Sequence, residues 1–154
     1  SGFTKDEQYT LMTLFSIFKS PLMFGGNLPD NDPFTLSLLT NKDVIYVNQH
    51  STNNRPLFRI DDKVAWTAED PKTGARYLAL FYIADPRMLD RKRIDPDSPL
   101  PPDSVQISVN LKEIGINKKM KVTDLWSGNY IGKYKNEFTH WIRRHGCGFY
   151  RLEK

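Results

Sequence analysis

The sequence predicts an α+β chain: a helix–strand–helix opening, then an antiparallel β-sandwich of Greek-key type. Three observations predict it. Apolar residues recur at helical spacing behind a capping box near the start. From Leu57 onward, short alternating runs are separated by turn sequences. Finally, 39% of the 154 residues are hydrophobic, enough to build a core in a chain of single-domain length.

The first helix is expected over 4–19. Thr4 followed by Glu7 forms a capping box that satisfies orphan N–H groups. Leu11, Leu14, Phe15 and Phe18 then set the period, and Met12 and Ile17 widen the apolar face, so this helix must pack on more than one neighbour. Ser20-Pro21 ends it, because the residue before proline is pushed out of the α region. Leu22-Met23-Phe24, closed by Gly25-Gly26, reads as a short buried strand. Asp32 and Pro33 start a second helix, with Leu36 and Leu39 (or Leu38) facing inward and Asn41 as C-cap. Val44 to Val47 fits a short helix or a strand. Ser51 to Arg55 is polar and reads as a linker.

Strand signals follow. Lys63 to Glu69 and Ala75 to Ala84 flank Asp70-Pro71-Lys72-Thr73-Gly74, in which Pro presets φ and Gly supplies a positive φ, so this is a hairpin. Ser104 to Leu111 puts Val105, Ile107, Val109 and Leu111 on one face. Lys119 to Trp126, Tyr130 to Tyr134, Glu137 to Arg143 and Cys147 to Leu152 complete seven or eight strands. Between them, 85–103 holds five of the ten prolines and a dense mix of charges, and reads as a long loop.

Charge and composition exclude several classes. The net charge is +4, but the bases are spread out or interleaved with acids, as in Arg87 to Arg93, so no nucleic-acid partner is expected. The longest uncharged apolar run, Leu11 to Phe18, is too short to span a bilayer. A single cysteine forms no internal disulfide and leaves the compartment open. The chain opens Ser1-Gly2-Phe3 and runs straight into a helix signal, as a sequence entered midway would.

No catalytic constellation emerges. His50, His140 and His145 lack metal-ligand spacing, so no metal or cofactor is expected. Cys147, flanked by glycines in the last strand, reads as a small core residue. The carboxylates have local roles: Asp32 caps a helix, Asp70 opens a turn, Asp61-Asp62 lies between strands, and Asp85, Asp95 and Asp97 fall in the Pro-rich loop. Trp66, Tyr130 and Trp141 could stack on sugar rings if exposed, but their alternation with polar residues favours burial.

Specific strings resemble the C-terminal part of glycoside hydrolase family 27, the α-galactosidase and α-N-acetylgalactosaminidase family. They are Gly2-Phe3-Thr4, Ser20-Pro21-Leu22-Met23, Asn27-Leu28, Leu38 through Ile45, and Val47-Asn48-Gln49. Asp124-Leu125-Trp126-Ser127-Gly128 is similar to the DLW(S/T)G of the family's C-terminal domain, and His145-Gly146 with its apolar strand to the closing strand. The chain departs from the family at His50, where an Asp is usual, and at Asn27.

The resemblance implies that 1–56 are the terminal βα units of a (β/α)8 barrel, comprising its seventh helix, eighth strand and eighth helix. Residues 57–154 would then be the C-terminal β-domain. Phe24, Gly25, Gly26 and Asn27 are the barrel-rim candidates for substrate contact. The family's two catalytic aspartates would precede this chain, so no catalytic residue is assigned within it. A carbohydrate substrate is expected for the intact enzyme only, and the exposed apolar helix face should self-associate, fold back on the β-domain, or pair with the preceding barrel part. The alternative is a non-catalytic carbohydrate-binding or structural β-sandwich.

Overall fold

The computed structural model describes residues 2–84 and 101–154, with the backbone alone at Leu28. Most of the predicted 85–103 loop lies outside the described residues. The rest forms three layers: helices, a six-stranded sheet and a two-stranded sheet.

Helix α1 is Lys5–Ile17, with both arms of the Thr4/Glu7 capping box formed. Helix α2 is Pro33–Leu39, with the Asp32 carboxylate accepting from Thr35 N at 2.9 Å. The ambiguous stretch after it is helical: α3 is Lys42–His50. Asn41 therefore differs from its expected role. Thr40 is the C-cap of α2, and Asn41 is the N-cap of α3. On α2, Leu38 is the buried leucine and Leu36 is exposed.

Two further expectations are corrected. Leu22-Met23-Phe24 forms no strand and is exposed, because no described strand lies alongside to complete a hydrogen-bond ladder. The supposed linker at Ser51 to Arg55 instead enters strand β1, Thr52–Ile60. This is an edge strand with register shifts between Thr52 and Arg55 and between Pro56 and Phe58. An edge position tolerates both the proline and the polar side chains.

The remaining strands are β2 (Lys63–Glu69), β3 (Arg76–Tyr82), β4 (Ser104–Asn110), β5 (Met120–Asp124), β6 (Tyr130–Tyr134), β7 (Glu137–Arg143) and β8 (Cys147–Glu153). The large sheet runs β1-β2-β3-β8-β5-β6 and the small one pairs β4 with β7, all antiparallel. In the β2–β3 turn, Gly74 N donates to Asp70 O at 2.8 Å and the Asp70 carboxylate accepts from Lys72 N and Thr73 Oγ1.

Period-2 alternation divides the core in two. Leu78, Leu80, Tyr150 and Leu152 face the small sheet, meeting Ile107, Val109, Phe138 and Ile142. The opposite face of the same strands, with Ala79, Phe81 and Phe149, meets Ile17 of α1 and Val44 and Val47 of α3. The helices thus fold back onto the β-domain. Burying each of the large aliphatic side chains and phenylalanines among them supplies roughly 1.5–3 kcal/mol, before ordering entropy is subtracted.

Candidate functional site

The helical layer is pinned to the sheet by the Asp124–Gly128 string. The Asp124 carboxylate accepts from Trp126 N at 2.8 Å, and Gly128 N donates back to Asp124 O at 2.8 Å, closing a turn that needs φ +72 at Gly128. This turn aims the Trp126 indole at α1, where its N–H donates to Thr13 Oγ1 at 2.9 Å. Thr13 is fully buried and shares a 3.2 Å hydrogen bond with Cys147 Sγ. Tyr9 meets Trp126 edge-on at 4.9 Å and Phe34 at 5.2 Å. Asn41 completes the joint. Its oxygen caps α3 through Val44 N at 3.0 Å, and its amide donates to Leu125 O at 3.1 Å.

Two more asparagines hold the C-terminal end of α1, whose last turn carries no basic residue. Asn48 Nδ2 donates to Phe15 O at 3.1 Å and Ser20 O at 2.9 Å, and Asn54 Nδ2 donates to Ile17 O at 2.7 Å. Carbonyls left without intrahelical partners are thereby satisfied. His50 stacks on Tyr46 at 4.3 Å.

The side of the helices turned away from the sheet is open. An apolar groove of about 740 Å³ lies there, lined among others by Leu11, Phe15, Leu22, Phe24, Leu39 and Ile45. Of the predicted rim residues, Phe24 and Gly26 line it, and Gly25 and Asn27 do not. Phe24 is 43% exposed and its ring folds over Gly26, while Gly25 has nothing nearby. Asn27 Nδ2 donates to the Asp30 carboxylate at 2.7 Å. Met23, beside them, is 90% exposed.

Among the described residues, chemically active groups are not gathered. Among the described residues, no cluster of three or more His, Cys, Asp or Glu could hold a metal ion. Among them, too, no helix is long and apolar enough to cross a membrane. Burial under α1 pushes the Cys147 thiol up to about 12, although the residue keeps some exposed surface. A thiol so placed is a packing group and not a nucleophile. Glu7 is held below the ordinary carboxylate range, first by the Thr4 backbone N–H and then by the Thr4 hydroxyl. Asp32 is held low in the same way by Thr35. Among the described residues, the carboxylates with shifted affinities are therefore turn and helix-cap groups.

The three candidate stacking aromatics separate. Trp66 is half-buried and packs against Phe18 at 4.0 Å. Tyr130 and Trp141 are 57% and 60% exposed, contrary to the burial that their alternation suggested. Sequence reasoning gave Trp126 and Asn41 no binding role and missed their joint. Pairing across 85 residues leaves no local signal.

Residues 61–152 match the alpha galactosidase C-terminal beta sandwich domain. Among solved structures, the GH27 β-L-arabinopyranosidase from Geobacillus stearothermophilus superposes with a TM-score of 0.85 at 38% identity, over 99% of this chain and 31% of that one. A putative alpha-N-acetylgalactosaminidase from Bacillus halodurans gives 0.85 at 34% identity, over 99% and 32%. Alpha-galactosidase 2 of Arabidopsis thaliana is 24% identical over 157 residues, 99% of this chain and 35% of its own length. The sandwich and its helical layer define the class, an α-galactosidase-type C-terminal domain. The chain belongs to the alpha galactosidase C-terminal beta sandwich domain family and corresponds to the C-terminal part of glycoside hydrolase family 27 proteins. It spans about a third of the length of these relatives.

Proposed function

We propose that this chain is the C-terminal portion of a retaining glycoside hydrolase acting on terminal α-linked galactose-type sugars. Residues 1–51 would complete one wall of a (β/α)8 barrel whose other βα units carry the two catalytic carboxylates, since residues 52–56 already belong to β1 of the sandwich. One carboxylate attacks the anomeric carbon, and the other acts first as acid and then as base, so configuration is retained. Residues 52–154 brace that wall, with the Trp126–Thr13 and Asn41–Leu125 contacts fixing its angle.

The observation that carries this reading is the open apolar groove. One side of α1 and α3 is buried on the sheet, yet Leu11, Phe15, Leu22 and Phe24 line a groove on the other. An exposed apolar surface of this kind marks a docking face. The preceding part of the barrel is its partner, and in its absence the isolated chain self-associates there.

The chain alone should release no p-nitrophenol from p-nitrophenyl α-D-galactopyranoside or from the β-L-arabinopyranoside, which has the same ring stereochemistry. The protein that includes the preceding barrel should hydrolyse one of them, with the α-galactose-type configuration visible in the first product seen by proton NMR. Turnover by the chain alone, or inversion by the intact protein, overturns the proposal.

A further inference from the structure

We propose that the outward face of the β4–β7 sheet is a binding surface for a neutral glycan chain, separate from the barrel side of the molecule. Ile107, Val109, Phe138 and Ile142 point inward and are buried, so the alternate residues point away. The register sets Gln106 opposite Trp141, Ser108 opposite Thr139 and Asn110 opposite Glu137. An exposed indole, a hydroxyl pair and an amide–carboxylate pair therefore lie in line along one face.

Folding does not call for this Trp. At 60% exposure it stabilises little, and it leaves an apolar plane in water. The polar groups next to it are held in place. Ser108 Oγ and Thr139 Oγ1 are 2.6 Å apart, and Thr139 Oγ1 donates to the Glu137 carboxylate at 3.2 Å. At the far end, Asn110 and Glu137 open into a groove of about 830 Å³, shared with Phe58, Ile60 and Lys112. From Glu137 to Trp141 is four strand steps, roughly 14 Å, a span that fits several sugar units.

The chemistry selects the ligand. A pyranose has a C–H face that packs flat on an indole, and a rim of hydroxyls that pair with amides and carboxylates. In the groove Lys112 stands against Glu113 and Glu137, and Arg143 at the other end of the face is paired with Asp6 of α1 at 3.9 Å. A polyanion would need a basic surplus, which this face lacks. The helices pack on the other side of the six-stranded sheet, so whatever covers the helical groove leaves this face open. The surface would hold the protein on a polysaccharide irrespective of the reaction carried out elsewhere.

The test is affinity electrophoresis of the full chain in native gels containing galactomannan, xyloglucan or arabinogalactan. The chain should be retarded in at least one gel. Trp141→Ala should weaken retardation about tenfold or more, as loss of a central aromatic anchor does, and Trp141→Phe should restore most of it. Asn110→Ala, at the groove, should weaken it as well. Trp141 is exposed, so unchanged thermal unfolding of its variants will show that the fold is kept. Asn110 Oδ1 also accepts from Lys112 N at 3.1 Å, so its variant is compared well below its own, lower melting temperature. No retardation in any gel, retardation unaffected by Trp141→Ala, or a Trp141-dependent dimer without glycan retention overturns the proposal.

Discussion

The side-chain amide of Asn41 donates to the main-chain carbonyl of Leu125 at 3.1 Å while its oxygen caps α3 at Val44. One residue thus starts a helix and ties it to a strand end 84 positions away. Asn41→Asp keeps the capping oxygen but loses the donor, and should cost about 1 kcal/mol in urea unfolding. Asn41→Ala loses both and should cost about 2 kcal/mol. Equal losses in the two variants would show that the Leu125 contact contributes alone.

Tyr150 lies across Gly148 in β8, and a Cβ built on the glycine runs into the phenol ring and hydroxyl. Both residues sit in the middle of the large sheet, where Tyr150 is almost fully buried. Gly148→Ala should destabilise by about 1–3 kcal/mol, as overpacking does. In the Tyr150→Leu background the same change should cost much less, and a double-mutant cycle reads that coupling.

Stability should fall at both ends of the pH scale. Glu7 and Asp32 are held low by backbone N–H groups, so their contribution is present above the ordinary carboxylate range and is lost as pH drops through their depressed values. Cys147, Tyr77 and Tyr150 are raised by burial, so the unfolded chain ionises first as pH climbs past the ordinary values of 9.0 and 10.0. The unfolding midpoint should therefore decline from about pH 9 upward, as thermal melts across pH 3–11 would show. A flat alkaline limb would contradict the burial of these three groups.

Cys147 should resist thiol reagents in the folded chain. Its sulfur is held at about 12 by burial beneath α1, and Thr13 occupies its hydrogen-bonding side. Reaction with a disulfide reagent near neutral pH should be slow and should accelerate in urea together with unfolding. Thr13→Val removes the hydroxyl that Trp126 donates to and should speed the reaction by loosening α1.

The uncovered helix face makes its own prediction. Replacing exposed Met23 and Phe24 by serine should leave the melting temperature nearly unchanged. Sedimentation should show less self-association than in the parent chain. Association that persists unaltered would place the contact elsewhere.

Local chemistry made much of this fold legible. The Thr4/Glu7 box, the Asp32-Pro33 start and the Asp70–Gly74 hairpin are short-range devices, and each forms where its residues stand. Leu22-Met23-Phe24 misled because an apolar run specifies burial only if a partner exists, and the described residues supply none. Thr52 to Arg55 misled because an edge strand can hydrogen-bond without an apolar face. The joint of Asn41, Trp126 and Thr13 was invisible, since it depends on which strands become neighbours. Alternation along β7 suggests burial for Trp141, but it is Phe138, on the opposite face, that meets the core, because the position of the second sheet decides which face meets water.

The place of β8 carries a consequence for biosynthesis. The last of the eight described strands sits between β3 and β5, pairing with both. A nascent chain that has emerged through β7 can pair β4 with β7, but it holds the large sheet as two separate ribbons, β1-β2-β3 and β5-β6, with open inner edges and no strand to bridge them. Such edges invite pairing with other chains. Sheet closure therefore waits on Cys147–Glu153, and a ribosome stalled shortly before that segment would present an aggregation-prone half-sheet to the cell's chaperones.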